Sequence, residues 1–224
     1  MKKLVIPFLL LFLLPFSYSC TSGRFAGYKL TERDAADAIR QLLQIGARDG
    51  GLTGAFSKEM IMTTVFPEGV RKVLNTVNAL GLTTEIDRFT TTLSTAAEKT
   101  AERSVPIFVS GINNMQFSDA MRIIKTGGNA ATDYLRVSVG DSLRRSLRPV
   151  VESALQEYKI NDLWNEVVKP IGGSKIKLDL PTLMAGAVSE AMFRKIAEKE
   201  RQVREDAAAR TTPLLQKVFS KNWN

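Results

Sequence analysis

The chain has 224 residues, is 44% hydrophobic and 24% charged, and carries a formal charge of +8. That size and balance suit one globular domain with a sizeable core. There is no histidine and a single cysteine, which excludes imidazole-based catalysis, an intrachain disulfide and a thiolate metal cluster.

The N-terminus reads as an export signal over residues 1–19. Lys2 and Lys3 precede an apolar run over residues 4–16 that is too short to span a bilayer, which takes about 20 apolar residues. Ser17-Tyr18-Ser19 then leads into Cys20, and small residues before a lone cysteine resemble the lipobox of bacterial lipoproteins. Ser17 stands where leucine is usual, and Tyr18 is bulky. The resemblance implies a lipid on Cys20 and a tether over residues 20–30. Two acyl chains give stable anchoring. Ordinary cleavage near Ser19, with Cys20 incidental, is the alternative. Either route takes the mature protein out of the cytoplasm, and the expected place is the bacterial cell envelope, lipid-anchored and facing the periplasm. Loss of Lys2 and Lys3 leaves 29 basic against 23 acidic residues, a net +6. That excess suits weak contact with anionic lipid. No interleaving of basic and aromatic residues points to nucleic acid.

A first helix is expected over 31–48, opened by Thr31 with Asp34 three residues on. Its buried face is Ala35, Ala38, Ile39, Leu42, Leu43 and Gly46, and Gly50-Gly51 ends it. Residues 57–62 suit one helical turn. Thr63-Thr64-Val65-Phe66 before Pro67 reads as a short strand. Pro67 suits the start of a helix burying Val70, Val73, Leu74, Val77 and Leu80. A long helix over 84–103 carries Ile86, Phe89, Leu93, Ala96, Ala97 and Thr100 on one face. Pro106 is expected to start another, anchored by Ile107, Phe108 and Ile112.

Residues 115–135 form the centre of the pattern: helix, glycine corner, helix. Ser118 is placed to cap the first helix, Gly127 to end it, and Asn129 to cap the second. From Gly140 to Tyr158 the apolar stripe is helical, with a kink or break predicted near Arg148 because Pro149 lies inside it. A short helix over 160–168 carries Trp164. Residues 176–180 alternate with period two and could pair with 63–66 as a ribbon. A long helix from Pro181 to about Ala208 buries Leu183, Met184, Ala187, Val188, Ala191, Met192 and Ile196. Its charged end, with Glu200 and Arg204 four apart, is expected to project into solvent. Residues 213–219 form a docking apolar helix, and 220–224 a tail.

Several stretches carry a resemblance: Pro106-Ile107-Phe108, Phe117-Ser118-Asp119-Ala120, Ala130 to Leu135, Pro149-Val150-Val151, Ile196 to Glu200, and Arg210 to Phe219. Their order and spacing resemble the bacterial domain-of-unknown-function family DUF4197 over about residues 31–219. The resemblance implies an exported, mainly helical protein and supplies no catalytic residues.

Three groups of polar residues are candidate sites. Gly127, Gly128, Asn129 and Thr132, assisted by Lys125 and Arg136, could hold an anion at a helix start; the alternative is a C-cap followed by an N-cap. Glu98, Asp119, Asp133, Tyr134 and Arg210 could converge on carboxylate chemistry; the alternative is caps and ion pairs, such as Glu98 with Arg210. Arg136, Arg144, Arg145 and Arg148 could meet lipid headgroups, or form a solvated helix face. No metal site or cofactor is indicated. The pattern predicts an all-α, single-domain helical bundle over 31–219, with one ribbon at 63–66 and 176–180 as its only β element. The function expected is a non-enzymatic binding or scaffold module with an envelope partner. A carrier with a pocket between helices is the alternative, and an enzyme using carboxylates is third.

Overall fold

The structure, a computed structural model, describes residues 27–49, 55–173, 178–221 and 223. Helix α1 (Glu32–Arg48) starts where predicted, with Thr31 Oγ1 accepting from the Asp34 amide at 3.1 Å. All six predicted core positions of α1 are buried, because they lie on one unbroken 3.6-residue stripe. Its end is set at Asp49, whose amide bonds to the Ile45 carbonyl; Gly50 and Gly51 lie outside the described residues.

The turn α2 (Lys58–Met60) runs directly into a wide helical turn over Ile61–Val65, closed by the Phe66 amide on the Ile61 carbonyl, five residues back. This corrects the expected strand at 63–66. Winding the segment lets Ile61, Val65 and Phe66 all reach the core, which outweighs the extended preference of the β-branched run. Phe66 alone is extended, as the following proline requires. The ribbon therefore loses one strand. Residues 176 and 177 of the other lie outside the described residues, and Leu180 is already helical. No strand occurs among the described residues.

Helix α3 (Glu68–Ala79) buries Val70, Leu74 and Val77, but Leu80 at its end is exposed. Helix α4 runs unbroken over Thr83–Asn113, so Pro106 does not begin a new helix. Helix α6 (Ala130–Glu157) likewise has no break at Arg148 and carries Pro149 inside it. Both prolines are exposed. The carbonyls they leave without a helical partner, four residues back at Glu102 and Arg145, belong to exposed residues too and can be hydrated. Buried neighbours on either side, Ala101 and Phe108 in α4 and Leu147 and Val151 in α6, supply more than the ~3 kcal/mol an interior proline costs.

The remaining helices are α5 (Ala120–Thr126), α7 (Ile160–Val168), α8 (Leu180–Glu205) and α9 (Pro213–Phe219). Helices α1, α4, α6 and α8 form the central body, each packed against the other three. Phe108 and Phe193 meet edge-on across its centre at 5.4 Å. Helices α1 and α8 approach so closely that a Cβ at Gly46 would lie 3.0 Å from Ile196 Cα. Helix α7 covers one end, where Trp164 packs on Phe89. Helices α5 and α9 close the other end against α1.

Candidate functional site

The corner between α5 and α6 positions everything that follows. Gly127 and Gly128 both have positive φ, +73° and +53°, a conformation glycine adopts without a Cβ penalty. The two helices thus meet with the carbonyl end of α5 beside the amide end of α6. Asn129 makes no side-chain cap. Its place is taken by Glu200, which reaches across from α8.

Glu200 is fully buried. One carboxylate oxygen accepts from the Ala131 amide at 3.0 Å. The other accepts from the Thr132 amide at 2.8 Å and the Thr132 hydroxyl at 2.7 Å. Arg204, one turn on, donates Nε and Nη2 to Glu200 at 3.0 and 2.9 Å. It also donates to the carbonyls of Ile124 and Ile123 at 3.1 and 3.2 Å. The acid thus sits on the positive end of one helix and the base on the negative end of the other. This corrects the solvent-facing end expected for α8: its last turns are docked, and Arg210 closes them by donating to the Val203 and Arg204 carbonyls.

Helix α5 is capped in the same borrowed way. Asp119, not Ser118, is its N-cap and accepts from the Arg122 amide at 3.0 Å. Glu32 of α1 accepts from the amides of Ala120 and Met121. The Arg122 amide, and then its guanidinium, hold the Asp119 carboxyl below the usual carboxylate range.

Beside the corner lies a cleft of about 370 Å³. Gly127, Gly128 and Asn129 line it together with Phe219 and Trp223, and Lys125, Arg201 and Lys221 add positive charge. Arg204 forms part of the wall, stacked 5.2 Å over the Phe219 ring. The cleft is tied to the first described residues. Tyr28 meets Trp223 edge-on at 5.7 Å, and the Lys217 ammonium sits 3.7 Å over the Tyr28 ring. The Tyr28 hydroxyl donates to Asp34 at 2.6 Å. Burial, and then that bond, push the Tyr28 phenol well above its ordinary range, while the same bond lowers the Asp34 carboxyl.

The sequence-derived candidates are therefore dispersed. Gly127, Gly128 and Asn129 edge the cleft with Lys125. Thr132 is buried beneath, holding Glu200, so the anion at the start of α6 is one the chain supplies itself. Arg136 lies further along α6, paired with Glu190 and 4.7 Å over the Phe193 ring. Tyr134 donates to the Gln116 carbonyl at 2.7 Å and stacks on Phe117. Asp133 is exposed and Glu98 half-buried on α4. Arg144 pairs with Asp141, and Arg148 with Glu152, both within α6. No group of three or more potential metal-ligating side chains occurs among the described residues.

The sequence does hold a signal for Glu200. It continues the buried stripe of Val188, Met192 and Ile196 at four-residue steps, with Val203 following. A carboxylate on an apolar stripe has to find partners inside. Trp223 and Lys221 carry no such pattern.

The sequence profile described as "Protein of unknown function (DUF4197)" matches residues 29–220. The chain belongs to this family. The match takes in α1 through α9, including the borrowed caps and the corner, so the DUF4197 region and the helical body coincide. No curated protein and no solved structure matches the chain.

Proposed function

We propose that this DUF4197 protein is a non-enzymatic binding module of the bacterial cell envelope, held to a membrane by a lipid on Cys20, and that it works through the charged cleft beside the α5–α6 corner. The observation that carries the reading is the position of the cleft. Its Trp223 wall touches Tyr28 at 5.7 Å, and seven residues lie between Cys20 and Tyr28. The eight Cα-to-Cα steps from Cys20 to Tyr28 reach at most about 29 Å when extended, so a lipidated Cys20 keeps the cleft close to the bilayer. A charged cleft also supports binding better than a flat apolar docking face does. The large exposed apolar residues among those described are Leu80 and Val137, on separate helices.

Mass spectrometry of the native mature N-terminus tests the anchor. The expected result is a chain beginning at Cys20 with added acyl mass. An unmodified chain starting elsewhere overturns the anchored part of the reading. Cross-linking in intact cells tests the module. Repeated recovery of one envelope component, lost when the cleft cations are neutralised, is expected.

A carrier is the second reading. It draws on an open groove of about 610 Å³ between α4 and α6, lined by Ile107, Gly111, Val139 and Leu143 among others. Saturable binding of an acyl chain that a bulky substitution at Val139 abolishes would favour it.

A further inference from the structure

The geometry points to a ligand class for the cleft: a phosphate-bearing amphiphile, its phosphate held by Lys125 and Arg201 and its apolar part laid on Phe219 and Trp223. This deepens the binding-module reading and rests on it, but not on the lipid anchor.

The wall is divided by chemistry. Lys125, at the end of α5, and Arg201, on α8, both line the cleft and both are exposed. Neither forms an ion pair among the described residues, and Lys125 acts on Asp119 only through space. Arg204 differs, since its guanidinium is taken up by Glu200 and two carbonyls. Glu205 is the one acid among the described residues of the lining. Lys125 and Arg201, the two cations without an ion pair among the described residues, therefore face one carboxylate once the Glu200–Arg204 pair cancels. Gly128 lines the same cleft and makes no hydrogen bond among the described residues. An anion with several acceptor oxygens satisfies such a set, and phosphate does so more fully than carboxylate. Phe219 and Trp223 line the same cleft and offer rings on which an apolar chain or glycerol backbone would leave water. The volume of about 370 Å³ holds a headgroup and the first carbons of a chain, and not a whole lipid.

Two sources share this chemistry: an anionic phospholipid of the bilayer and a soluble phosphate ester. Trp223 supplies the readout, because the second tryptophan, Trp164, is 4% exposed and packs on Phe89 in the core. The native full chain, purified in non-ionic detergent, is titrated with dihexanoyl phosphatidylglycerol, dihexanoyl phosphatidylcholine and glycerol 3-phosphate while tryptophan emission is followed. A saturable change with phosphatidylglycerol is expected, absent in Trp223→Phe. Arg201→Gln and Lys125→Gln should each weaken it about fivefold, the effect of one cation near an anionic headgroup. Equal sensitivity with glycerol 3-phosphate keeps the site and makes the soluble ester its source. Equal binding of the zwitterionic lipid, no saturable change, or titrations that ignore both substitutions overturn the inference. An unmodified Cys20 leaves every arm intact, so its failure and the failure of the anchor are read separately.

Discussion

Replacing Glu200 by alanine should be among the most damaging single substitutions in this chain. Glu200 is fully buried and accepts five hydrogen bonds, from two amides, one hydroxyl and two guanidinium nitrogens. Its loss uncaps α6 and leaves the Arg204 side chain, 12% exposed, as a charge with only two carbonyl partners. Breaking a buried pair from one side costs about 3–5 kcal/mol. We expect about 4 kcal/mol, a large part of the ~5–15 kcal/mol that holds a domain of this kind. Arg204→Met should cost less, about 2 kcal/mol, because Glu200 keeps its three bonds to α6. The double substitution should then cost less than the sum, which a cycle exposes. Urea denaturation followed by far-ultraviolet circular dichroism measures all four chains. The control is Glu68→Ala: that residue pairs with Lys72 at 72% and 75% exposure, and its removal should change stability by less than about 0.5 kcal/mol. A loss below about 1 kcal/mol for Glu200→Ala would refute the view that α8 fastens the α5–α6 corner.

Two further outcomes follow from neighbouring features. The Ser189 hydroxyl is buried without a hydrogen-bond partner among the described residues, so Ser189→Ala should raise stability by about 1 kcal/mol, read as a shift in urea midpoint at constant slope. The Tyr28–Asp34 bond should shape both limbs of the pH–stability profile. The Asp34 carboxyl is lowered in the fold, so its contribution is present above about pH 4 and fades as pH falls through the folded value. The Tyr28 phenol is raised, so its contribution is intact below about pH 10 and fades as pH rises beyond it. Tyr28→Phe should flatten both limbs by under about 1 kcal/mol, given how open the pair is. An unchanged acid limb would show that the bond contributes nothing.

The helical class and most of the buried faces can be read from the residues, because a stripe such as Ala35, Ala38, Ile39, Leu42 and Leu43 permits only one period. What periodicity does not carry is which way an irregular residue faces. Pro106 and Pro149 look like breaks until their solvent-side position is known, and then their missing amides cost little. Thr63 to Val65 look extended, yet the core takes the segment as a wide turn because Ile61 and Phe66 must both be buried. Glu200 and Arg204 fit the spacing of a surface pair equally well. Only the α5–α6 corner, brought against α8 from some seventy residues earlier, turns them inward. The cleft was least legible of all. Its cations and rings come from α5, α8 and the last residues, and nothing local binds those stretches together.

The contact between Tyr28 and Trp223 has a topological consequence. With its first and last described residues side by side, the helical body is nearly a closed loop of polypeptide. A short linker joining them, with new ends opened at the exposed Leu80–Gly81 turn, would give a permuted chain that cuts through none of the four long helices.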